Sequence, residues 1–100
     1  MNRFELTKSA LADLDELWLY IAADTVDAAD RVSDAILGAC DLLAQHPLVG
    51  HARRDLTARP LLFWSSGSYL LVYAPETSPL RIIAVLHGAR DVATILNDRD

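Results

Sequence analysis

The sequence is short of the groups that usually announce a chemistry. It has one cysteine, Cys40, so no internal disulfide can form, and a thiol set among apolar residues at helical spacing reads as part of a core. It has one lysine, Lys8, and 14 acidic against 9 basic side chains, a net charge of −5. That balance excludes loose binding to nucleic acid by phosphate neutralisation. The soft ligands, His46, His51, His87 and Cys40, match no common zinc spacing. Four glycines form neither a phosphate-cradling loop nor a nucleophile elbow. No apolar run approaches the ~20 residues of a membrane helix. No apolar stretch with a small-residue cleavage site follows the N-terminus. Together these absences predict a cytoplasmic protein with no metal, no cofactor and no membrane association.

What is present argues for a folded domain. Hydrophobic residues make up 52% of the 100, too many for intrinsic disorder, and the length suits one domain over 1–100. Residues 2–6 read as a short edge strand, with Phe4 and Leu6 on one face. Thr7 can cap a helix from Lys8 to about Ala23, in which Leu11, Leu14, Trp18, Ile21 and Ala22 recur at three- and four-residue steps. The carboxylates Asp13, Asp15 and Glu16 are expected on its solvated side. Asp24-Thr25 can cap a second helix reaching about Gln45, rich in alanine and stopped by Pro47 and Gly50, so the two helices form an αα-hairpin.

After a loop over 46–58 the periodicity shortens. Strands are expected at Arg59–Trp64, Tyr69–Ala74 and Leu80–Leu86, joined by turns at Ser65–Ser68 and Pro75–Pro79 and followed by a short helix over Asp91–Leu96. The element order is β-α-α-β-β-β-α, an α+β domain with the helix pair on an antiparallel meander. The continuous apolar runs Leu70–Val72 and Ile82–Leu86 imply either that the central strands are covered on both faces or that the second face binds something.

Charge is unevenly placed. Residues 1–50 carry three basic against nine acidic side chains, and residues 51–100 six against five. The second half therefore holds the candidate site. Arg53, Arg54 and Arg59 precede the meander, Arg81 opens its last strand, and His87 and Arg90 close it. Adjacent antiparallel strands bring opposite ends together, so a shared rim of Arg side chains with His87 as proton carrier is expected. Such a rim suits an anionic or acidic partner.

The chain resembles toxins of the RelE/ParE superfamily from type II toxin–antitoxin systems. The resemblance spans nearly its whole length. It rests on Leu6-Thr7, Ala10, Asp13-Leu14 and Tyr20-Ile21-Ala22, then Ala28-Ala29, Arg31-Val32, Leu42-Leu43-Ala44, Pro47, Gly50 and Arg53-Arg54. Arg59-Pro60, Ser68-Tyr69, Val72-Tyr73, Val85-Leu86-His87 and Ala89-Arg90-Asp91 complete it. The ending Val-Leu-His-Gly-Ala-Arg-Asp is closer to ParE-like members, which poison DNA gyrase. The acidic balance and the lack of a Tyr after Asp91 depart from RelE-like members, which cut messenger RNA on the ribosome.

The resemblance implies a toxin–antitoxin hetero-oligomer, with a ParD-like antitoxin whose acidic amphipathic segment wraps the toxin. Three functional readings follow. In the first, the chain inhibits DNA gyrase by protein contact, through Arg53, Arg54, Arg59 and Arg90. In the second, it is a ribosome-dependent endoribonuclease using His87, Arg90, Arg81 and Arg59. In the third, it is an inactive relic that binds only its antitoxin. Trp18, Tyr20 and Trp64 are the expected apolar anchors for the antitoxin.

Overall fold

The computed structural model describes residues 4–99. Its elements are β1 (Phe4–Leu6), α1 (Lys8–Ala22), α2 (Val26–Gln45), β2 (Leu62–Ser66), β3 (Tyr69–Ala74), β4 (Leu80–His87) and α3 (Val92–Asn97), the order expected from sequence. Residues 2 and 3, the expected start of the first strand, lie outside the described residues. The sheet order is β1-β4-β3-β2. β2, β3 and β4 form the antiparallel meander, and β1 lies parallel to β4 at the edge.

Both hairpin helices start on threonine. Thr7 Oγ1 accepts from Ala10 N (3.1 Å) and Thr25 Oγ1 from Ala28 N (2.9 Å), each satisfying a donor the first helical turn leaves open. Trp18 Nε1 donates to Asp30 Oδ1 (2.9 Å) and ties α1 to α2. The hairpin covers one sheet face, where Leu14 and Leu17 meet Ile36, Cys40, Leu43, Leu71, Tyr73, Ile82 and Val85. The other face is covered by α3 and the segment before β2, through Leu61, Phe63, Val72, Ile83, Leu86, Val92 and Leu96. This double cover explains why the central strands read as unbroken apolar runs.

Three sequence expectations are corrected. β2 begins at Leu62, not Arg59, because Leu61 N turns back onto Arg59 O (2.8 Å). Ser65 and Ser66 stay in the ladder, and the turn is only Gly67-Ser68, with Gly67 at φ +58, a conformation glycine adopts without strain. The buried stripe of α1 runs through Ala10, Asp13, Leu14 and Leu17, so Leu11 is exposed and Asp13 faces the sheet. A carboxylate lies in this sector because partners wait for it there.

Cys40 is buried in the helix-side core, and desolvation pushes its thiol pKa up to about 12. Its labelling by a thiol reagent at pH 8 is expected to require unfolding, and denaturant should accelerate it. An unfolded thiol ionises near its ordinary value of 9.0, so the raised folded value means that this group's contribution to stability is complete below that pH. It is lost as pH rises from there toward about 12. Rapid labelling of the native protein would contradict this placement.

Candidate functional site

The site is built where β4 outruns its edge neighbour. Among the described residues β1 pairs with Leu80, Arg81 and Ile82, while β4 continues to His87. The register of β3 on β4 skips Ile83, since Val72 faces Ala84 and Tyr73 faces Ile82. This β-bulge puts one extra residue in β4 and resets its alternation. Ile83 and Ala84 both join the α3-side core, and Val85 returns to the helix side. Without the bulge, the strand's period of two would turn Val85 and His87 to the other face.

Asp13 and Arg99 occupy the edge exposed by this geometry. Asp13 is the only buried charged side chain among the described residues. Its Oδ2 accepts from Val85 N (3.0 Å), and its carboxylate takes both terminal nitrogens of Arg99, with Nη2 at 2.7 Å from Oδ1. Arg99 Nη1 also donates to Ile83 O (3.3 Å), which accepts from Thr7 Oγ1 as well (3.4 Å). Side chains thus serve backbone groups that a longer β1 would have served. The hydrogen bonds Arg99 donates to Asp13, aided by the charges of Asp13 and Glu16, raise the Arg99 pKa above its ordinary value.

Beyond this pair lies a cavity of about 430 Å³ lined by Glu16, Leu17, Tyr20, Tyr69, Val85, His87 and Arg90 beside Asp13. α1 forms one wall and the ends of β3 and β4 the other. Tyr20 is 81% exposed, and the His87 ring stands edge-on to Tyr69 at 5.5 Å between centroids. His87 Nδ1 accepts from Ala89 N (3.1 Å). A neutral ring in that arrangement carries its proton on Nε2 and presents a donor, not a base. The guanidinium of Arg90 is exposed and makes no ion pair among the described residues.

The other arginines are not brought to this rim. Arg81 stands at the opposite end of β4, six residues or about 20 Å from His87, and lies 3.9 Å from Glu5 across the β1–β4 pair. Arg59 donates through Nη1 to Arg99 O (2.7 Å) and Leu96 O (3.4 Å), fastening the carbonyl end of α3. Arg53 forms a two-pronged, exposed pair with Asp55. Mutual hydrogen bonding holds the Arg53 pKa above and the Asp55 pKa below their ordinary values. The antiparallel bridge between His51 and Phe63 sends Arg53 and Arg54 toward the start of β2, again away from His87. The expected common rim is therefore two rims, because the meander places the start of β2 beside the end of β3 and not beside the end of β4.

Trp18 and Trp64 are half-buried; of the three expected anchors, Tyr20 alone is largely exposed and lies at the cavity. Sequence reasoning missed Asp13 and Arg99. The one available signal was an Asp at the same helical phase as Ala10 and Leu17, an acidic residue inside an apolar sector. Among the described residues no group of three or more His, Cys, Asp or Glu side chains could hold a metal ion. No helix among them is long and apolar enough to cross a membrane.

Comparison with known proteins agrees with this architecture. Residues 4–92 match the family model described as the ParE toxin of the type II toxin–antitoxin system parDE. A Sinorhizobium fredii protein named "Putative toxin Y4kP" is 33% identical over 95 residues, covering 95% of this chain and 97% of that one. A chain of the chromosomal ParDE system from P. aeruginosa superposes with a TM-score of 0.70 at 16% identity, over 84% of this chain and 92% of that one, a likeness of fold. A family match running from β1 to the start of α3, on a meander with this helix pair against it, places the chain in the ParE toxin family of type II toxin–antitoxin systems.

Proposed function

We propose that the chain inhibits DNA gyrase by protein–protein binding and is neutralised by a cognate antitoxin. The observation that carries this reading is the family match over residues 4–92. Support for binding rather than catalysis comes from the separation of the candidate catalytic groups. An endoribonuclease needs a base and a cluster of cations around one phosphate. Here His87 offers a donor through Nε2, and Arg81 and Arg59 are engaged elsewhere. The target contacts are assigned to Arg53, Arg54, Arg59 and Arg90. Of these, Arg54 and Arg90 are exposed and without an ion pair among the described residues, so they carry most of the expected effect. The antitoxin anchors are Tyr20, Trp18 and Trp64, with Tyr20 contributing the largest exposed ring.

Purified chain added to gyrase should block supercoiling of relaxed DNA or leave cleaved DNA. An antitoxin from the neighbouring reading frame should restore activity. Arg54→Glu combined with Arg90→Glu should weaken inhibition by about tenfold or more, as expected when steering charges are reversed. Normal gyrase activity at saturating chain would overturn the reading. Codon-positioned cuts in translated messages would instead establish the ribonuclease alternative, and no growth arrest without antitoxin would establish the relic.

A further inference from the structure

The loop from α2 to β2 is fastened along its backbone and open at its tip. His46 N donates to Leu42 O (2.9 Å) and Val49 N to His46 O (3.1 Å), which closes a tight turn around Pro47 and Leu48. The Tyr73 hydroxyl holds both sides of that turn, donating to Pro47 O (2.6 Å) and accepting from Gly50 N (3.0 Å). His51 and Phe63 then exchange two backbone hydrogen bonds (2.9 and 2.8 Å). Leu56 N and Thr57 N both return to Arg53 O (3.0 and 3.1 Å). A loop fixed in this way has given up its freedom before it meets a partner, which lowers the entropy lost on binding.

The side chains at the tip are nevertheless left in water. Leu48 is 80% exposed, and Val49 beside it and Leu42 in the last turn of α2 are exposed as well. Three of the seven large apolar side chains exposed among the described residues thus lie within 42–49. Single exposed apolar side chains are ordinary, whereas a rigid group of them marks a contact surface. The charge here is also opposite to that of the chain. Residues 42–75 hold Arg53, Arg54 and Arg59 against Asp55 alone, in a chain of net charge −5. Arg53 and Asp55 neutralise each other, and Arg54 makes no ion pair among the described residues.

We infer that Leu48 and Val49 are the apolar anchors of the target contact, seated in an apolar recess of gyrase bordered by carboxylates, one of which meets Arg54. This assignment rests on the gyrase reading and gives that contact an apolar centre, which the arginines alone do not supply. Charge speeds the encounter, whereas desolvated apolar anchors set how long the partners stay together. Tyr20, the most exposed of the expected antitoxin anchors, opens on the cavity at the Tyr69 end of β3. The loop is hooked to Tyr73, four residues or about 13 Å farther along that strand. The two contacts are therefore separable by substitution.

The test measures supercoiling inhibition and binding kinetics with the full chain and purified gyrase. Leu48→Gln combined with Val49→Thr removes apolarity with little change in size and none in charge. It should raise the concentration needed for half-inhibition at least about tenfold, through faster dissociation at a nearly unchanged association rate. Arg54→Glu should instead slow association by about threefold or more at low salt, an effect that shrinks at high salt. Val26→Asp, an equally exposed apolar site about 24 Å away at the other end of α2, should leave inhibition unchanged. The double loop variant should keep the wild-type melting temperature and its affinity for the antitoxin from the neighbouring reading frame.

Undiminished inhibition by the double loop variant would overturn the docking assignment and leave the gyrase reading in place. Loss of antitoxin binding with gyrase inhibition intact would also overturn it and give the loop to the antitoxin. Loss of both with a lowered melting temperature would show that the two side chains serve the fold instead. No inhibition by the wild-type chain at saturation would remove the gyrase reading, and the docking assignment with it.

Discussion

Arg99→Ala is expected to lower stability by about 3–5 kcal/mol, the cost of leaving one member of a buried ion pair alone. The side chains of Arg99 and Asp13 are only 15% and 7% exposed. Removing the guanidinium strands the carboxylate with Val85 N as its remaining donor, and it also frees Ile83 O. Arg99→Lys should recover less than half of the loss. An ammonium is a point charge, whereas the planar fork serves both oxygens of Asp13 and the Ile83 carbonyl together. Urea denaturation of the three proteins measures this directly. An Arg99→Ala midpoint shift equivalent to the about 0–1 kcal/mol of a surface pair would refute the structural role given to the bridge. Because the same pair pins the bulge that turns Val85 and His87 toward α1, Arg99→Ala should also speed hydrogen exchange along Ile83–His87 more than along β2.

The second large effect is expected at Gly50, where a tight approach forbids a side chain. Tyr73 is fully buried. Its hydroxyl donates to Pro47 O (2.6 Å) and accepts from Gly50 N (3.0 Å), which hooks the loop after α2 onto the sheet. Burial raises the Tyr73 pKa, so the hydroxyl keeps the proton it donates. A Cβ at position 50 would lie 2.5 Å from that oxygen, 2.9 Å from the ring Cε1 and 3.0 Å from Phe63 O. Gly50→Ala should therefore cost near the upper end of the about 1–3 kcal/mol seen for overpacking. Tyr73→Phe should cost about 1–3 kcal/mol by leaving Gly50 N and Pro47 O unpaired. The double substitution should cost less than the sum, since removing the hydroxyl relieves the closest clash. Strict additivity in thermal or urea melts would show that the two residues do not act on each other.

Much of the architecture is legible in the residues themselves. The caps Thr7 and Thr25, the apolar periodicities, and the punctuation by Pro47, Gly50, Gly67 and Pro75–Pro79 lead to the observed element order. The reach of β2 was misjudged because Pro60 at a strand start is compatible with sequence rules, while the local turn from Arg59 to Leu61 is set by contacts with α3. The phase of α1 was misjudged for a similar reason. An Asp is assigned to solvent unless a buried donor is known to face it, and Arg99 lies 86 positions away.

The α+β class, the hairpin and the meander follow from the residues alone, because each depends on local propensity or on patterns carried within a few tens of residues, and the family follows from the order of short motifs along nearly the whole chain. Which groups share a site depends instead on how distant segments pack. One skipped residue in the β3–β4 register, at Ile83, turns His87 toward Tyr20 and Tyr69, the direction of the meander sends Arg53, Arg54 and Arg81 to the other end of the sheet, and Arg59 is held on the carbonyl end of α3. Register and bulge placement arise from contacts between segments far apart in the chain, among them the Asp13–Arg99 bridge. Reading the residues in order cannot reveal them.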